Sequence, residues 1–166
     1  ANRRGTVEVS MPLPGGSVNT LKRHYGVSAR ELSIPDAAIR EFQQARRELR
    51  KPDAAAAFRR FEKAVEIAPQ FAEAWNYLGT MSYQTGKYAD AEKYFRRALE
   101  ASPGLWGPLV NLGGVLLNLN RYEEAFPYNQ RAVLERPDDA LARSQLGLNY
   151  FLMGRMEPAI EHLKKA

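Results

Sequence analysis

Cysteine is absent from this chain of 166 residues, so neither a disulfide nor a thiolate metal site can form. Histidine is scarce, and neither His24 nor His162 has a partner at the spacing of metal ligands. No apolar run reaches the roughly 18 residues that span a bilayer, and residues 1–20 lack the apolar segment of a signal peptide. We therefore expect no bound metal and no contact with a membrane. The missing cysteine does not assign a compartment.

Residue groups that carry catalysis are also absent. Gly15-Gly16 and Gly113-Gly114 lack the lysine and the hydroxyl residue of a phosphate-binding loop. The acidic pairs Glu123-Glu124 and Asp138-Asp139 stand at a predicted helix start and in a predicted turn, where carboxylates cap amides and complement helix dipoles. No nucleophile has a candidate base. The sequence therefore predicts a protein that is not an enzyme and has no cofactor.

What the sequence does contain is a repeat with a period of 34 residues. Five columns share this interval without an insertion: Pro69, Pro103 and Pro137; Gly79, Gly113 and Gly147; Leu78, Leu112 and Leu146; Ala57, Ala91, Ala125 and Ala159; and Ala64, Ala98, Ala132 and Ala166. Small residues at fixed helical offsets let two helices approach closely, and proline stops a helix. Each unit is predicted to be a helical hairpin whose apolar face is buried only by stacking on its neighbours.

The second unit carries a recognisable signature, namely Trp75, Leu78-Gly79, Ala91, Phe95, Ala98 and Pro103. This pattern resembles the tetratricopeptide repeat. The resemblance covers residues 38–166, as units 38–71, 72–105, 106–139 and an incomplete 140–166. It implies an all-α fold, a right-handed superhelix (solenoid) of about four helical hairpins. We expect a first helix of about 14 residues and a second helix of about 12 in each unit.

Residues 1–33 lack a helical period and are predicted to form an irregular N-terminal arm. Residues 6–9 alternate like a short strand, and residues 11–14 indicate extended backbone before a glycine turn. The arm is interpreted either as an inter-domain linker or as a segment that packs along a helical surface or groove. The tetratricopeptide repeat domain is predicted over residues 34–166, with Ser33 as the first helix cap and Pro35 in the first turn.

Turns within the hairpins are predicted at Gly86, Asn120 and Gly154, which tolerate a left-handed backbone, and at Pro52-Asp53 in the first unit.

One position conflicts with the pattern. Pro127 falls inside a predicted second helix, where an interior proline costs about 3 kcal/mol and bends the helix. Nearby, Asn129 occupies the column filled elsewhere by Phe61, Phe95 and Leu163. We predict a kink at Pro127, with Asn129 hydrogen-bonded to a freed carbonyl or to a water.

The family resemblance also implies where a ligand binds. In proteins that resemble this chain, the first helix of each unit lines the concave face and grips extended peptides. Carried over, the peptide-binding residues are Gln43, Arg46, Arg50, Asn76, Tyr77, Tyr83, Asn111, Asn118 and Gln145. Gln43, Asn111 and Gln145 fall in one column, which Tyr77 completes. Amides in this column can donate to and accept from a peptide backbone at once. The alternative interpretation is structural, because asparagine is common in this column of the family.

Charge is uneven along the chain, whose net charge is +5. Arg46 and Arg50 lie four residues apart and are predicted to project from one helix face into the groove. This favours a basic mouth at the N-terminal end of the groove and a ligand with acidic residues. The alternative is a solvated basic face with Glu41, Glu48 and Glu62 nearby.

These observations predict a non-enzymatic protein–protein interaction scaffold that binds a protein or peptide segment in its concave groove. A second hypothesis is a self-associating or intramolecular module of a larger protein. No predicted helix covers Leu148, Leu152, Ile160 and Leu163. We therefore expect either that the protein continues past residue 166 or that a second copy packs there, as a homodimer through the C-terminal end.

The third hypothesis is an RNA-binding helical repeat, which the sequence pI of 9.6 invites. The 34-residue period and the lack of a basic residue recurring in an inward column argue against it, so no nucleic acid is expected.

Overall fold

The computed structural model describes residues 34–50 and 54–166 of the chain. These residues form eight α-helices and no strand. The helices are α1 (Asp36–Glu48), α2 (Ala54–Ile67), α3 (Ala72–Gln84), α4 (Tyr88–Ala101), α5 (Trp106–Asn118), α6 (Tyr122–Glu135), α7 (Ala140–Leu152) and α8 (Met156–Lys164).

Successive helices pair into four hairpins, α1 with α2, α3 with α4, α5 with α6, and α7 with α8. Each second helix then packs against the first helix of the next hairpin. Neighbours in space are therefore neighbours in sequence, which is the arrangement of a helical solenoid. The all-α solenoid predicted from the period is confirmed.

Prolines set the ends of the second helices. α2, α4 and α6 each have 14 residues and end two residues before Pro69, Pro103 and Pro137, because the residue that precedes a proline avoids the helical region. The first helices have 13 residues each. We predicted that the first helix of each hairpin would be the longer one. This was wrong for the first three hairpins, because α2, α4 and α6 are longer than the first helices, whereas α8 has 9 residues.

Left-handed residues close the hairpins as predicted. The φ angles of Gly86, Asn120 and Gly154 are 73°, 58° and 74°. One prediction at the N-terminus was wrong, because Pro35 is the N-cap of α1, with extended backbone (φ −62°, ψ 144°), and the first turn begins at Asp36. The predictions for residues 1–33 and for Pro52-Asp53 lie outside the described residues.

Glycines let the two helices of a hairpin approach each other. A methyl group at Gly79 would lie 2.6 Å from the ring of Phe95, and one at Gly147 would lie 2.7 Å from Leu163. Both distances are shorter than van der Waals contact, so a methyl group does not fit at these two positions without a shift of the neighbouring side chain. The hydrophobic core runs between the hairpins, and its largest fully buried side chains include Phe61, Phe95 and Leu112.

Asn129 has a hydrogen-bond partner that the sequence did not predict. α6 continues from Tyr122 to Glu135 through Pro127. Asn129 is fully buried, and its Nδ2 donates to Oδ1 of Asn149 in α7 at 3.0 Å. Asn149 Nδ2 in turn donates to the carbonyl oxygen of Tyr122 at 2.9 Å. The prediction of a freed carbonyl as the partner of Asn129 was therefore wrong, because the next hairpin supplies a side chain. Oδ1 of Asn129 is buried and has no hydrogen-bond partner in the described residues, so a water partner stays a prediction. The kink stays a prediction.

Candidate peptide-binding face

The first helices lie on the inner side of the row. α3 packs directly against α5, and α5 against α7, whereas within the described residues successive second helices make no comparable backbone contact. Long side chains bridge that wider gap instead, as Arg121 does to Glu92 at 2.6 Å and Arg96 to Glu124 at 3.6 Å. Because the first helices are closer together than the second helices, the row curves around the first helices.

The column of Ser82, Leu116 and Tyr150, which are 34 residues apart, identifies the side of each first helix that stays open. Ser82 and Leu116 are buried in this column, and Tyr150 packs edge-on against Phe126 of α6 and stacks on His162 of α8. Residues two positions before or after this column lie about 200° round the helix, on the opposite and open side. This open side, which we call the inner face, contains Thr80, Gln84, Gly114, Asn118, Leu148 and Leu152.

Four of the predicted residues meet across α3 and α5. Asn118 Nδ2 donates to the hydroxyl of Tyr83 at 3.1 Å and to the carbonyl of Gly114 at 2.9 Å. Asn111 Nδ2 donates to Oδ1 of Asn76 at 3.4 Å. These bonds use only part of the hydrogen-bonding capacity of each amide, so acceptors and donors are left for a ligand.

Glycines of α5 make room for amide side chains from both neighbouring helices. A methyl group at Gly107 would lie 3.4 Å from Nδ2 of Asn76, and one at Gly114 would lie 2.7 Å from Nε2 of Gln145. Gln145 therefore lies flat against the backbone of α5. Its Oε1 is buried and has no hydrogen-bond partner in the described part of the chain. The predicted Gln43 is exposed on α1.

Tyr77 departs from its predicted place. Its ring stacks on Phe61, with centroids 4.8 Å apart and planes at 12°, and meets Phe42 edge-on at 5.5 Å. The side chain is half-buried against the core between the first two hairpins. Tyr77 therefore packs neighbouring hairpins together rather than standing free beside Asn111.

The two predicted arginines are exposed, but they do not share a helix. α1 ends at Glu48, and Arg50 lies in the following turn, where its N–H donates to the carbonyl of Arg47 at 3.3 Å. The prediction of one common helix face was wrong for this reason. Among residues 34–50 and 54–166, no carboxylate lies within 4 Å of the charged group of Arg46 or Arg50. The nearby carboxylate of Glu41 pairs with Arg60 at 3.0 Å.

The charged groups with shifted pKa values lie away from the inner face. Glu92, Arg96, Arg121 and Glu124 form ion pairs between the second helices, which we call the outer network. In this network, hydrogen bonds to Glu124 and Glu92 raise the pKa of Arg121, and the bond from Arg121 lowers the pKa of Glu124. Burial lowers the pKa of His162. Within the described ranges, no group of three histidine or acidic side chains could hold a metal ion, and no helix has the length and apolarity to cross a membrane.

Sequence reasoning missed two features that shape this region. Asn149 pairs with Asn129 beneath the inner face, and its signal was a polar residue in a column that holds Met81 and Val115 in the two preceding hairpins. The outer network of Glu92, Arg96, Arg121 and Glu124 had no repeating signal.

The stacked hairpins and their open inner face define an α-helical solenoid of the protein-interaction class. Comparison with known proteins agrees. The tetratricopeptide repeat family matches residues 47–105 and 82–144. The chain belongs to the tetratricopeptide repeat family.

Two relatives and one solved structure illustrate the likeness. Cell division cycle protein 16 homolog of Homo sapiens is 34% identical over 115 residues, which cover 64% of this chain and 18% of that protein. The peroxisomal targeting signal receptor of Kluyveromyces lactis is 33% identical over 92 residues, which cover 54% of this chain and 16% of the receptor. The structure of MamA (41-end) from Desulfovibrio magneticus RS-1 has a TM-score of 0.74 at 26% identity, covering 80% of this chain and 75% of that one.

The chain spans less than a fifth of the length of either sequence relative. The shared fold and family indicate a protein–protein interaction scaffold, and scaffolds of this family are generally non-enzymatic.

Proposed function

We propose that this chain binds an extended segment of a partner protein on its inner face and has no catalytic activity of its own. The observation that carries the proposal is the row of partly satisfied amides across α3 and α5, namely Asn76, Asn111 and Asn118. An extended peptide offers an N–H and a carbonyl at every residue, which such amides can pair. The Kluyveromyces lactis relative is a receptor for a targeting signal, which supports the binding of a protein segment.

A random dodecamer peptide library tests the proposal. The chain is used to select peptides, and their affinities are measured by fluorescence polarisation for the original chain and for Asn111→Ala/Asn118→Ala. We expect the double variant to bind at least tenfold more weakly, because two hydrogen bonds of about 1 kcal/mol each are lost.

The matched control changes the outer side. Lys93 and Arg97 are exposed on α4, and Lys93→Ala/Arg97→Ala should alter affinity less than twofold. Circular dichroism verifies that both variants keep their helices. The proposal is wrong if no peptide is selected, or if the outer variant loses as much affinity as the inner one.

Self-association is a second candidate function, favoured by the apolar surface of the last hairpin. Leu163 is 48% exposed, whereas Phe95 in the same column is 1% exposed beneath the next hairpin. Leu148, Phe151 and Ile160 are also exposed nearby. We expect light scattering to give twice the chain mass of 18.7 kDa at high concentration, and Ile160→Lys/Leu163→Lys to restore the single mass. A single mass throughout would exclude the dimer.

A further inference from the structure

The inner face changes its chemistry from one hairpin to the next at the same two positions. The first position holds Arg46, Thr80, Gly114 and Leu148. The second position holds Gln84, Asn118 and Leu152, and Arg50 lies at the corresponding place in the sequence, in the turn that follows α1. The face is thus basic at the first hairpin, polar at the two middle hairpins and apolar at the last. A third position stays apolar or aromatic throughout, with Leu49, Tyr83, Leu117 and Phe151.

Both ends of this gradient are open to a ligand. Arg46 and Arg50 are exposed without a carboxylate within 4 Å in the described part of the chain. Leu148 and Leu152 remain 43% and 37% exposed, because they lie opposite Tyr150, whose ring is covered by α6 and α8. Exposed guanidinium groups attract carboxylates, whereas an apolar surface gains free energy when a large apolar side chain covers it.

Glu73 is a carboxylate of α3 that lies at a distance from Arg46. Glu73 stands in the first turn of α3, seven residues before Thr80, which places it about 10 Å along the helix axis from the level of Arg46. Acidic ligand groups can therefore approach Arg46 without meeting Glu73 directly.

The distance between the two ends sets the spacing of the ligand's groups. α3 packs on α5 and α5 on α7, and the rings of Phe42 and Tyr77 join α1 to α3. Packed helices lie about 8–10 Å apart, so three such steps span about 24–30 Å. An extended chain advances about 3.3 Å per residue, so about seven to nine residues cover this distance. The middle of the segment would lie on the amides of α3 and α5.

We propose that the inner face selects a bipartite segment, with acidic residues at one end and large apolar residues about seven to nine positions away. This inference rests on the proposed function, since it assumes that the inner face binds an extended segment. It adds the chemical class of the ligand and its placement along the row.

The sequences of the selected dodecamers test this inference. We expect acidic and large apolar residues to be enriched at opposite ends. Arg46→Glu/Arg50→Glu should weaken these peptides at least tenfold at low ionic strength and should select basic residues in place of acidic ones. Added salt should reduce the loss, because exposed charges are screened over about 10 Å at 0.1 M salt.

The apolar end has its own variant and its own readout. Leu148→Ser/Leu152→Ser should weaken the same peptides at least fivefold at both low and high salt. Peptides that lack the apolar residues should bind this variant and the original chain equally.

The outcomes separate the two proposals. The selected peptides could depend on Asn111 and Asn118 and yet lack separated acidic and apolar ends. This result would overturn the proposal of a bipartite ligand and leave the proposal of inner-face binding intact. An acidic preference that survives Arg46→Glu/Arg50→Glu would also overturn it. Failure to select any peptide would overturn both.

Discussion

At the scale of single residues, the glycine column shows how one atom decides the packing of a hairpin. Gly79, Gly113 and Gly147 each face a side chain of the paired second helix, which is Phe95, Asn129 or Leu163 respectively. These side chains differ in size and polarity, yet the glycine is the same. The shared requirement is therefore the close approach of the two helix backbones, not a match to one particular partner.

Substitution of one methyl group tests this requirement. Gly79→Ala should lower the free energy of unfolding by about 1–3 kcal/mol, because its Cβ would lie 2.6 Å from the buried ring of Phe95 and the hairpin must open to admit it. Gly104→Ala is the matched control, since nothing lies within 4 Å of a methyl group there. Urea denaturation of both variants measures the difference. Equal stability of the two would show that the helices tolerate a wider spacing.

At the scale of helices, the contact between α6 and α7 is the point where polar side chains replace apolar ones in the core. Asn129 and Asn149 are both fully buried and are joined at 3.0 Å. Elsewhere the first of these columns holds phenylalanine or leucine, and in the second and third hairpins the second column holds Met81 and Val115. A buried hydrogen bond adds little net stability, but an unpaired buried amide costs about 1–3 kcal/mol.

A double-mutant cycle at this contact follows from that asymmetry. Asn129→Leu and Asn149→Val should each destabilise the chain by about 1–3 kcal/mol, because each removes the hydrogen bond between the two amides and leaves a buried polar atom of the remaining amide without this partner. The double variant should recover at least half of the summed loss, since both columns then hold residues like those of the other hairpins. Urea denaturation of the four proteins gives the coupling energy. Additive losses would mean that the two amides act independently.

Sequence reasoning succeeded where the cause is local and failed where it depends on a neighbour. Pro69 and Gly86 stop or turn the chain through their own backbone, so helix ends and turns could be predicted. The partner of Asn129 could not, because it comes from the next hairpin. Tyr77 packs against the core because the ring of Phe42 in α1 lies beside it. Arg50 left the predicted face because α1 ends two residues earlier than the period implies.

At the scale of the whole molecule, stability is shared between neighbouring hairpins and is therefore unequal along the row. α4 is packed on both sides and buries Ala91, Phe95 and Ala98, whereas α8 buries only Ala159 among its described residues. In a stacked repeat, each hairpin gains stability from its own contacts and from its two interfaces. The last hairpin described has contacts with one neighbour only, so it should open at a lower free energy than the middle of the row.

Amide hydrogen exchange measured peptide by peptide tests this inequality. We expect amides of α8 to exchange at least tenfold faster than those of α4 at low protein concentration, through opening of the last hairpin alone. Leu112→Ala, at a fully buried position, should cost about 2–5 kcal/mol and speed exchange throughout the row, whereas Leu163→Ala should affect α8 alone. If α8 becomes as protected as α4 only when the concentration is raised, a second copy covers it. Equal protection at every concentration would contradict the nearest-neighbour account, because α8 would then draw stability from contacts that its exposed Leu163 does not make.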